Sequence, residues 1–114
     1  MQLDERIVGP VAIVTVTGDI TLKRGGDMLL HDRLHHLVQN GPRTVLLNLA
    51  GVSYVDSAGL GELVQAYSAL KNQGGSLKLC SLTKRLRDLL VMTNLISLFD
   101  AYDNEEQALA QVRA

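Results

Sequence analysis

Apolar residues recur along the chain with two different periods, and the alternation between them predicts an order of elements. Residues 5–17, "ERIVGPVAIVTVT", hold two β-rich runs on either side of Gly9-Pro10, a turn dipeptide, and predict an opening hairpin. A polar, glycine-bearing connection, "GDITLKRGGD", follows. From Asp27 to Asn40, Leu30, Leu34, Leu37 and Val38 recur at helical spacing, and Gly41-Pro42 closes that helix. Residues 44–49, "TVLLNL", form a nearly unbroken apolar run, the pattern of a strand covered on both faces. Leu60, Leu63, Val64, Tyr67 and Leu70 then line one stripe of a second helix, which Gly74-Gly75 stops.

"SLKLCSL" returns to alternation, a strand with Leu77 and Leu79 turned inward. Thr83 starts a third helix with Leu86, Leu89 and Leu90 as its apolar face, and Asn94 supplies the left-handed residue that commonly closes a helix. "ISLFDAY" reads as a short strand or extended segment, and "NEEQALAQV" as a final helix whose acids suit its first turn. The order β-β-α-β-α-β-α-β-α, with helical crossovers between the later strands, implies parallel pairing there. The expected fold class is therefore α/β: a mixed central sheet, made of an N-terminal hairpin plus parallel βαβ units, packed with about four helices. Without repeats, linkers or low-complexity segments, residues 1–114 are expected to form one domain.

Composition narrows the function. Apolar residues are 46% and charged residues 20% of the chain, ordinary globular usage that argues against disorder. A formal net charge of −1, with signs interspersed, gives no electrostatic reason to expect direct binding of nucleic acid or membrane. With no Trp, one Phe and three Tyr, the core is expected to be Leu, Val, Ile and Ala, and base stacking lacks its usual platform. Cys80 is the only cysteine, which precludes an intramolecular disulfide and fits a reducing compartment. On its strand it reads as a small packing residue. "MQLDERIVGPVAIV" has no basic region leading into a long apolar core, and no run approaches the roughly 18 apolar residues of a membrane helix. A cytoplasmic protein without membrane insertion is the expectation.

One stretch departs from a helix built for stability alone. "YVDSAGLGEL", residues 54–63, opens the second helix with Ser57 at the expected N-cap, an acid directly before it and two glycines in the first turn. Each glycine costs about 1 kcal/mol relative to alanine if fully helical. The strand before it points its carboxyl end at this turn, where sites gather in α/β folds. A hydroxyl there, cleared of neighbours by Gly59 and Gly61 and flanked by apolar Val52, Tyr54, Val55 and Leu60, fits a regulated contact surface. A phosphoryl group would add roughly −1.5 to −2 charge beside Asp56 and disturb a docked partner. The same residues also fit an ordinary capped helix, since serine is a common N-cap, and residue chemistry leaves both readings open.

Other constellations carry less. His31 and His35 lie four apart on a helix, but a metal site needs three or four convergent ligands and the nearby acids are Asp27 and Asp32; no metal and no cofactor are expected. A serine hydrolase would want a glycine two residues before Ser57, where Val55 stands, and a nearby base, whereas all three histidines lie within residues 31–36. A receiver domain would need an acidic pair after the first strand, and "TVTGDI" offers the single Asp19. Lys84, Arg85 and Arg87 read as a solvated helix face.

The segment "VLLNLAGVSYVDSAGLGELVQAYSALKNQGGSLKLCSLTKRLRDLL" resembles the bacterial anti-sigma factor antagonists, whose single domain is the STAS domain. The resemblance runs from about Val14 to Leu109, and its specific parts are the apolar strand before "VDSAGLGEL", the "GG" turn before "SLKLCSL", and "MTNL" before "DNEEQAL". It implies a protein without catalysis of its own, a monomer or weak dimer. Unphosphorylated, such an antagonist binds a serine kinase that is also an anti-sigma factor and so frees the sigma factor. Phosphorylation of the serine matching Ser57 ends the binding, and a phosphatase resets it. The resemblance places the partner surface at Asp19, Thr21, Val52, Tyr54, Asp56, Ser57, Ala58, Gly59, Leu60 and Gly61. Thr21 stands where many relatives carry an acid, Lys23-Arg24-Gly25-Gly26 precede the next helix, and Asn94 replaces a frequent glycine. Within the family, a stressosome scaffold subunit and the STAS subunit of a membrane lipid transporter are the alternatives.

Overall fold

The computed structural model of the chain describes residues 1–21, 26–40 and 43–113. Nine elements follow the expected order: β1 (Gln2–Val8), β2 (Val11–Thr17), α1 (Gly26–Asn40), β3 (Thr44–Gly51), α2 (Ser57–Asn72), β4 (Ser76–Cys80), α3 (Lys84–Met92), β5 (Asp100–Tyr102) and α4 (Glu105–Arg113). The strands form one sheet in the spatial order β1-β2-β3-β4-β5. β1 and β2 pair antiparallel across the two-residue Gly9-Pro10 connection, in which Gly9 takes φ +58°. The remaining neighbours pair in parallel, as helical crossovers require. The expected Gly41-Pro42 stop and the Lys23-Arg24-Gly25 stretch lie outside the described residues.

The unbroken apolar run of β3 is explained by the two covers of the sheet. Side chains alternate faces along a strand, so Val45, Leu47 and Leu49 enter the large core under α1, α2 and α3, while Leu46 enters a smaller one under α4. Leu77 and Leu79 of β4 point into the large core as expected, and Cys80 lies opposite them, fully buried with Val11, Ile13, Leu46 and Ala108. Burial pushes the Cys80 thiol above its ordinary range.

Helix ends largely follow the expected chemistry. The Thr83 hydroxyl accepts from the amide of Leu86 at 3.2 Å and starts α3. Asn94 takes φ +61° just past its end, and the amide of Leu95 returns to the carbonyl of Leu90 at 2.9 Å. The segment expected to be extended, "ISLFDAY", is narrower than that: Leu98 closes a turn onto Leu95, and only Asp100–Tyr102 pair as a strand.

At the α4 end of the sheet, Glu105 accepts from Asn48 Nδ2 at 2.7 Å and pairs with Arg6. Those two contacts, the Asn48 hydrogen bond first, hold its carboxyl below the usual carboxylate range. A depressed folded pKa stabilises above the unfolded value, about 4.3 for glutamate, and that contribution disappears as pH falls through the folded value. Glu105→Gln keeps an acceptor for Asn48 but removes the charge. It should lower the unfolding free energy at neutral pH, read from urea denaturation, by on the order of 1 kcal/mol or less, because Arg6 is half exposed. The gap between variant and parent should close on acidification; a gap independent of pH would show that the charge contributes nothing.

Candidate functional site

The loop between β3 and α2 is built by a clasp from the end of β2. Ile20 bridges Val55 in parallel: its amide donates to the carbonyl of Tyr54 at 3.1 Å, and its carbonyl accepts from the amide of Asp56 at 3.1 Å. Gly18 donates to the carbonyl of Gly51 at 3.0 Å, and Ser53 Oγ donates to Asp19 Oδ1 at 3.0 Å. From the other side, the Thr83 hydroxyl donates to the carbonyl of Val52 at 3.1 Å. These bonds fix residues 51–56 from two sides, by the segment that follows β2 and by the cap of α3.

The helix start differs from the sequence expectation. Asp56, not Ser57, is the N-cap of α2: its backbone is extended, with φ −83° and ψ 179°, and its Oδ1 accepts from the amide of Gly59 at 2.9 Å. Both residue types cap well. The clasp decides between them, because the bond from the Asp56 amide to Ile20 holds that residue extended just ahead of the first helical turn. Ser57 thereby becomes the first helical residue. It is exposed, and its hydroxyl makes no hydrogen bond to another described residue.

The glycines separate into two roles. A Cβ on Gly61 would meet nothing within 4 Å, so this position leaves open space beside Ser57. A Cβ on Gly59 would lie 2.6 Å from Val55 Cγ1 and 2.7 Å from the Ile20 carbonyl oxygen. Gly59 is buried, and its missing side chain admits the clasp itself rather than a visiting protein. Val52 and Val55, expected as surface contacts, are 0% and 1% exposed: they anchor the loop in the core. The corner that does reach solvent comprises Tyr54 and Ser57 with Gly61, flanked by the half-buried Asp19, Thr21, Asp56, Ala58 and Leu60.

One turn further along α2, Glu62 Oε2 lies 2.7 Å from His31 Nδ1, tying α1 to α2 beside the corner. His31 and His35 stack, with ring centroids 5.8 Å apart and planes 8° from parallel. No local pattern signals the His31–Glu62 pair, since its partners lie on separate helices. Among the described residues no group of three or more His, Cys, Asp or Glu side chains is disposed to hold a metal, and no helix is long and apolar enough to cross a membrane.

Comparison with known proteins places the chain in a family. The STAS domain profile matches residues 2–108. The chain is 37% identical over 87 residues to the anti-sigma-B factor antagonist of Bacillus subtilis, covering 76% of this chain and 77% of that one. Its fold superposes on an anti-sigma factor antagonist from Mycobacterium paratuberculosis with a TM-score of 0.88 at 22% identity, covering 99% and 94% of the two chains. It superposes on the Bacillus cell fate determinant SpoIIAA in its phosphorylated form with a TM-score of 0.76 at 17% identity, covering 97% and 99%. The chain belongs to the STAS domain family.

Proposed function

We propose that this protein is an anti-sigma factor antagonist, a binding switch rather than an enzyme. It docks a serine-kinase anti-sigma factor through the Ser57 corner and is released when Ser57 is phosphorylated. The observation that carries the reading is the Ser57 hydroxyl: exposed, without a capping duty, on a loop and helix start held by the segment after β2 and by the cap of α3. An acceptor serine must be reachable by another enzyme's active site, and a switch residue must add charge without unfolding its own protein. Position one of a helix meets both needs, because first-turn amides and the macrodipole tolerate an anion there. The added charge, about −1.5 to −2, then faces outward toward whatever is docked. The name of the Bacillus subtilis relative supports an anti-sigma factor as the partner, and a phosphatase would restore the binding form.

Incubation with the serine-kinase anti-sigma factor of the same organism and ATP, read by intact mass, should give a single phosphoryl addition that Ser57→Ala abolishes. Addition at another residue, or none, would remove Ser57 as the switch.

A further inference from the structure

One face of α3 is left over after the core has taken Leu86 and Leu90. Arg85, Asp88, Leu89 and Met92 recur at i, i+3, i+4 and i+7 and so form a single stripe. With Ser53 and Tyr54 from the loop before Ser57 they line an open groove of about 290 Å³. That is just below the range for small-ligand pockets, about 300–1,000 Å³, and its open side suits one or two side chains of an apposed protein better than an enclosed metabolite. Tyr54 is 46% exposed and Met92 81%, which puts two large apolar side chains in water at the rim of one depression. The two walls are held together, since the Thr83 hydroxyl that caps α3 also donates to the Val52 carbonyl.

Charge narrows the occupant. Asp88 is matched by Lys84, whose Nζ lies 3.1 Å from its carboxylate. Arg85 and Arg87 are exposed and make no hydrogen bond or ion pair to any described residue. The rim is therefore apolar with surplus positive charge. Tyr, Met and Arg are also the side chains enriched in protein interfaces, and methionine reshapes to fit what it meets.

We propose that this groove is a second docking element for the antagonist's partner. It receives a large apolar side chain of the serine-kinase anti-sigma factor, flanked by a carboxylate that pairs with Arg85. The inference rests on the antagonist reading for the partner's identity, and adds to it the chemistry recognised and the place. Tyr54 is three residues before Ser57, so a partner seated on Tyr54, Leu89 and Met92 lies alongside the phosphoacceptor. The groove supplies apolar contact area that the buried Val52 and Val55 do not.

Titration calorimetry of parent, Met92→Glu, Arg85→Glu and Ser57→Asp chains against the serine-kinase anti-sigma factor tests this. Met92→Glu and Arg85→Glu should each weaken binding by about tenfold or more, with melting temperatures unchanged because both side chains are solvent-exposed. The salt dependence of binding should be shallower for Arg85→Glu than for the parent. Ile7→Glu, an exposed apolar position on β1, should bind as the parent does. If the parent binds and Ser57→Asp releases it while both groove variants bind like the parent, the groove proposal is overturned and the antagonist reading stands. If the parent itself does not bind, the antagonist reading fails and carries the groove with it. A dimer of the parent in sedimentation, dispersed by Met92→Glu or Arg85→Glu, would assign the groove to a second copy of the chain and overturn the proposal.

Discussion

Ser57→Asp is expected to lower affinity for the serine-kinase anti-sigma factor by about tenfold or more while leaving the melting temperature nearly unchanged. The two halves of that expectation have separate causes. Stability is spared because Ser57 is exposed and its hydroxyl holds nothing in place among the described residues. A carboxylate in the first turn gains about 0.3–1 kcal/mol from the helix dipole, and its repulsion by Asp56 next door acts in the opposite direction. Binding is lost because an uncompensated charge at the centre of a docked face must be desolvated, and opposing like charge costs several kcal/mol. Calorimetry and thermal unfolding on one sample check both halves. Parent-like affinity in Ser57→Asp would count against a charge switch; a large fall in melting temperature would mean that Ser57 supports the fold. Ser57→Ala should bind like the parent and resist release by ATP.

The second large effect concerns the two glycines of the same helix turn, which should respond to alanine with opposite signs. Helix propensity alone favours both changes by about 1 kcal/mol. At Gly61 nothing lies within 4 Å of the new methyl, so Gly61→Ala should keep that gain and raise the melting temperature. At Gly59 the methyl would stand 2.6 Å from a buried valine and 2.7 Å from a backbone carbonyl already committed to the Asp56 amide. Backbone cannot step aside as a flexible side chain would. Overpacking of this kind costs about 1–3 kcal/mol, enough to outweigh the propensity gain and to lower the melting temperature by several degrees. Thermal unfolding of the two variants decides it. If Gly59→Ala were neutral, the clasp would be looser than its hydrogen bonds imply.

Much of the architecture was legible because it is written in local patterns. Alternating and helical periods located the strands and helices, Thr83 its cap, and Asn94 the left-handed exit from α3. The all-apolar stretch of β3 signalled two covered faces, and the sheet bears that out with Leu46 on one side and Leu47 on the other. The fine structure of the site was less legible. Asp56 and Ser57 are adjacent and equally able to cap, so nothing local distinguishes them; the decision comes from Ile20, more than thirty residues earlier in the chain. The same long-range contact explains why Val52 and Val55 are core residues although they sit in a loop, and why Gly59 serves internal packing while Gly61 faces water. The α3 groove is illegible in the sequence for a related reason. Its walls come from different parts of the chain, and Arg85 taken alone looks like ordinary surface charge.

The unequal covering of the sheet bears on how the protein is made. One face is roofed by helices interleaved with the strands, so it can close while synthesis proceeds, whereas Val11, Ile13, Leu46 and Cys80 wait for α4, which follows every strand in the chain. During translation, therefore, a nascent polypeptide bearing all five strands still presents a greasy strip to its surroundings. Chaperone capture should peak in that interval and end when the last helix clears the ribosome.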